Sequence, residues 1–107
     1  MLKPIEDDAD GRRPRQSERS AVQMPATLSM TGAPPITIRI HNLSTRGFMA
    51  ECATIGLIGR YVWIELPGSA PINARIMWGV AGRIGGQFIQ PIDEAGCHAL
   101  RAAHPVG

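Results

Sequence analysis

From residue 21 onward, apolar and polar positions alternate along much of the chain, the pattern of strands that bury one face and expose the other. Residues 36–40, Ile-Thr-Ile-Arg-Ile, show it most clearly, and a second alternating run follows at 48–52. Between them lies a short polar turn, Asn42-Leu43-Ser44-Thr45-Arg46-Gly47. Upstream, residues 21–30 predict a first strand; Pro25 has no N–H to give a ladder, so it marks an edge or a bulge. Thr31-Gly32-Ala33-Pro34-Pro35 is expected to turn the chain into the second strand, at residues 36–41.

The third strand is expected at 48–52, followed by a glycine-bounded connection at 54–59. Residues 60–66 are rich in β-branched and aromatic side chains and predict a fourth strand. Pro67-Gly68-Ser69 signals a turn, residues 72–78 a fifth strand, and Ala81-Gly82-Arg83 a hairpin into a sixth at 84–90. Within the sixth, Gly85-Gly86 predicts a bulge or a close backbone approach. Asp93 fits a helix N-cap, and residues 93–103 form the best helical stretch, weakened by Gly96. Cys97 and Leu100 would face the body of the domain. Six short strands and one terminal helix predict an all-β fold: a small six-stranded antiparallel barrel with a C-terminal helix.

Residues 1–20 differ in kind, being charged and almost free of large apolar side chains. They read as a flexible N-terminal arm, and residues 21–107 as the barrel with its helix. Net charge is only +2, but the arm reverses sign along its length. Residues 1–10 hold Lys3 against Glu6, Asp7, Asp8 and Asp10, whereas 11–19 hold Arg12, Arg13, Arg15 and Arg19 against Glu18. No apolar run is long enough for a membrane helix, and no export signal is evident, so a cytoplasmic protein is expected. Cys52 and Cys97 share no ligand spacing and read as small buried hydrophobes. Nor do the three histidines pair with acids or cysteines at metal-ligand spacing, and no nucleophile–base set stands out. Neither an enzyme nor a metal or cofactor site is expected.

Two segments carry candidate chemistry. Arg15 and Arg19 stand four residues apart, with Arg12 and Arg13 just before them. Guanidinium forks grip phosphate oxygens bidentately and can engage a guanine edge, although a solvated terminal charge run would look the same. Asn42, Ser44 and Gly47 supply an amide, a hydroxyl and a glycine expected to adopt positive φ and admit a ligand to the backbone. An ordinary side-chain-capped turn would use the same residues. Trp63 and Trp78 read as core or barrel-rim aromatics, with Trp78 the nearer to a ligand.

Taken together, Arg-x-x-x-Arg at Arg15 and Arg19, then Asn-x-Ser-x-x-Gly at Asn42, Ser44 and Gly47, within six predicted strands, resembles the PilZ domain family. The resemblance covers roughly residues 12–93, and no motif residue departs from the pattern. It implies a receptor for the bacterial second messenger cyclic di-GMP. The arginines would engage phosphates and guanines while the Asn-Ser turn reads guanine from the barrel surface. The arm would order over the ligand, and the effect would pass to a downstream protein that the sequence does not name. A PilZ-like interaction module without nucleotide is the first alternative. A small RNA-binding barrel is the second, disfavoured because there are only five aromatics (two Trp, one Tyr, two Phe), many of them needed for the core.

Overall fold

The computed structural model describes residues 20–106. Six strands run in the order β1 (Ser20–Met30), β2 (Ala33–Leu43), β3 (Gly47–Glu51), β4 (Tyr61–Glu65), β5 (Ile72–Val80) and β6 (Arg83–Phe88), and the helix α1 (Glu94–Ala103) follows. All pairs are antiparallel, and the sheet closes in the order β1-β2-β3-β6-β5-β4. The all-β barrel and its single C-terminal helix are thus as the alternation predicts.

Boundaries differ in one instructive place. The turn expected over residues 31–35 shrinks to Thr31-Gly32, and β2 already begins at Ala33. Gly32 adopts φ +85, which lets so short a turn reverse the chain. Pro34 and Pro35 then lie inside a strand. They are tolerated because β3 pairs with β2 only from Arg39 onward, leaving this half of β2 an open edge. Pro25 follows the same logic, since β4 reaches β1 only at Thr27–Ser29, and a register shift lies between Ala21 and Met24.

Inward positions fill the barrel: Met24, Leu28, Ile40, Phe48, Ile64 and Ile76 are all fully buried. The rings of Phe48 and Phe88 sit 5.6 Å apart at 37° and bridge β3 to β6. At one end α1 turns Cys97 inward, with Leu100 and Ile92 packed on the core. Asp93 caps this helix, its Oδ2 accepting from Gly96 N at 2.9 Å. The chain beyond the helix is tied to β1 by Gln23 N donating to His104 O and by a Val22–Pro105 bridge. Both cysteines are free and buried, as their isolation in sequence predicts.

Candidate functional site

The β2–β3 connection is built from backbone hydrogen bonds on three sides. Ser44 N donates to Gly47 O at 2.9 Å, closing the turn on itself. Phe88 N donates to Arg46 O and Ile92 N to Thr45 O, each at 2.8 Å, fastening the turn to the segment entering α1. The Ser44 hydroxyl, only 2 % exposed, accepts from Gly47 N at 3.1 Å and from Arg46 N at 3.2 Å. Its Oγ also lies 3.4 Å from Gly47 O, to which it donates. The hydroxyl therefore holds the turn's shape first of all.

Gly47 is a glycine for a different reason from the expected one. Its φ is not positive. A Cβ there would collide with the carbonyl oxygen of Gly86 on the neighbouring strand β6. Close packing of β3 on β6, rather than turn geometry, sets the residue.

Outside the barrel, Ser44, Arg46, Gly47, Met77, Trp78, Gly85, Gly86 and Gln87 line a cleft of about 390 Å³. Strict alternation after Ile76 would send Met77 outward and Trp78 into the core. Instead the register slips: Ile76 faces Gly86 and Trp78 faces Gly85, so Met77 is the extra residue of a bulge. Both side chains consequently face out, Met77 47 % and Trp78 38 % exposed. The Trp78 indole lies against Gly85, where any Cβ would overlap it. On the inner face the Phe48 ring occupies the space a Cβ of Gly86 would need, 2.5 Å away. The glycine pair thus serves both faces of one strand: an indole outside, a phenyl ring inside.

The two tryptophans are not core residues. Trp63 points outward by simple alternation along β4, and Trp78 does so through the bulge. Tyr61 is exposed too, with the Arg75 guanidinium 5.6 Å from its ring centroid. Of the five aromatics only Phe48 and Phe88 enter the core, so fewer are used there than the sequence suggests.

Of the residues singled out in sequence, Ser44 and Gly47 reach the cleft, whereas Asn42 does not line it. Asn42 belongs to β2, half-buried opposite Met49, just past a bulge at His41. The His41 ring is partly buried, its Nε2 3.5 Å from a Glu51 carboxylate oxygen. Arg12, Arg13, Arg15 and Arg19, with the arm that carries them, lie outside the described residues. Arg46 and Gln87 line the cleft but were not among the expected site residues, and Trp78, expected only to lie nearer a ligand than Trp63, lines it as well. Arg46 sits inside the quoted motif, and Gly85-Gly86 was the available signal for something lying close to β6. Among the described residues no cluster of His, Cys, Asp or Glu could hold a metal ion, and no helix is long and apolar enough to cross a membrane.

The PilZ domain model matches residues 13–103, a span that takes in Arg13, Arg15, Arg19, the β2–β3 turn and all of α1. The chain belongs to the PilZ domain family. PilZ domains generally bind cyclic di-GMP and are typically non-catalytic receptor modules. A comparison with curated proteins gives no match. Within the PilZ barrel the Asn-x-Ser-x-x-Gly motif occupies the end of β2, the turn and the first residue of β3.

Proposed function

We propose that this PilZ domain is a cytoplasmic receptor for cyclic di-GMP, held between the arm arginines and the cleft beside the β2–β3 turn. The register of β1 on β2 carries this reading. Ser20 pairs with Leu43, the residue next to Ser44. Arg19 is bonded directly to Ser20, and the four residues from Arg19 back to Arg15 span at most about 14 Å. Both arginines are therefore tethered within reach of the turn. Guanidinium forks supply bidentate contacts to phosphate and to the O6/N7 edge of guanine. The cleft offers the open face of Trp78 for stacking and the Gln87 amide for hydrogen bonds, and among the described residues no carboxylate lines it to repel a phosphate. Arg12 and Arg13 extend the positive charge at the arm's end of the site. On this reading residues 1–20 act as an arm that orders over the ligand, and the reorganised surface is offered to a partner protein.

A second reading, a PilZ module that engages a partner without nucleotide, draws on the apolar side chains left outside: Tyr61, Trp63, Ile58 and Val80 are all about half exposed or more. Isothermal titration calorimetry separates the readings. The receptor should bind cyclic di-GMP in preference to GTP and to a short single-stranded RNA. Arg15→Ala or Arg19→Ala should each lose roughly 2 kcal/mol or more of that binding, with the melting temperature unchanged. Absence of heat with cyclic di-GMP would favour the module without nucleotide, and preference for RNA the nucleic-acid barrel.

A further inference from the structure

Arg46 stands in the motif stretch at a position where the pattern fixes no residue type. Its backbone is fixed at both ends: the N–H donates to Ser44 Oγ at 3.2 Å, and the carbonyl accepts from Phe88 N at 2.8 Å. The side chain is exposed and lines the cleft with Trp78 and Gln87. Of the other arginines on the barrel, Arg39 and Arg60 lie away from this cleft and three make contacts elsewhere. Arg75 covers the Tyr61 ring, Arg83 reaches Met49 Sδ at 3.9 Å, and Arg101 reaches Cys97 Sγ at 3.6 Å. Among the described residues, no ion pair or hydrogen bond holds the Arg46 guanidinium, and the cleft contains no acid to neutralise it. A cation rooted in a rigid turn, beside an open indole face, suits a planar base whose phosphate lies alongside.

We propose that Arg46 is a direct phosphate contact, giving the barrel an anion-binding group of its own, independent of the arm. The inference rests on the receptor reading and deepens it. The barrel takes one guanine of the dinucleotide on Trp78 and its phosphate on Arg46. Because the turn is already fastened by its own hydrogen bonds, Arg46 needs no chain ordering to meet the ligand.

The test compares the unmodified full chain with Arg46→Gln and Arg46→Lys by calorimetry with cyclic di-GMP at low and high salt. Arg46→Gln should bind about tenfold more weakly at low salt, as expected for one lost charge-assisted hydrogen bond. The gap should narrow at high salt, because the contact is ionic and exposed. Arg46→Lys should fall between the two, keeping the charge but losing the fork. Equal affinity of Arg46→Gln and the unmodified chain would overturn this inference alone. A loss of the same size at both salt concentrations would overturn it too, by assigning Arg46 a structural role. An unmodified chain that gives no heat with cyclic di-GMP would overturn the receptor reading, and this inference with it.

Discussion

Gly47, Gly85 and Gly86 lie on two adjacent strands, yet a methyl group would meet something different at each. At Gly47 it would strike the backbone carbonyl of Gly86, and at Gly86 the buried Phe48 ring, neither of which has room to retreat. At Gly85 it would meet only the Trp78 indole, which is part exposed and can swing outward. Gly47→Ala and Gly86→Ala should therefore each destabilise the barrel by about 1–3 kcal/mol. Gly85→Ala should cost much less, while displacing Trp78 from the cleft and changing its fluorescence. Urea denaturation followed by tryptophan emission checks both halves; equal destabilisation at all three sites would contradict the packing described. In the sequence Gly85 and Gly86 were visible as anomalies in a strand and Gly47 as a turn glycine, but their packing reasons were not. A glycine's neighbours across a sheet depend on register, and register is a property of the whole barrel.

Strands and helix were largely legible, because a half-buried strand repeats every two residues and α1 announces itself with Asp93 at its cap. What alternation cannot reveal is where it breaks. Met77 looks like one more outward residue and Trp78 like the next inward one. Only the slip against Gly85 shows that both face solvent. Likewise the sequence leaves Ser44 open between a ligand contact and a turn cap, and only the structure shows its hydroxyl engaged with the turn's own amides. In α1, burial pushes the Cys97 thiol above its ordinary value; Arg101 opposes the shift and Glu94 adds to it. A folded state that keeps this thiol protonated gains stability that is fully present below the unfolded value of about 8.5. That gain is lost as pH rises through the higher folded value. Unfolding free energy measured from pH 8 upward should decline more steeply in the unmodified chain than in Cys97→Ala; parallel curves would show that the helix face does not favour the neutral thiol.

Across the whole molecule, a closed barrel leaves no free sheet to carry a signal, so a response to ligand has to pass through what surrounds it. The β2–β3 turn is rigid, fastened by backbone bonds to its own strand and to the approach to α1. β1 begins beside that turn. The arm arginines and the cleft are therefore expected to act as one site closing on one dinucleotide. A ¹⁵N-resolved NMR titration of the full chain with cyclic di-GMP tests this most directly. The account predicts that the amides of residues 44–47, the Trp78 indole N–H and the amides of residues 11–19 all shift along a single binding curve with one Kd. Shifts confined to the arm, shifts confined to the cleft, or two sets following different curves would contradict it.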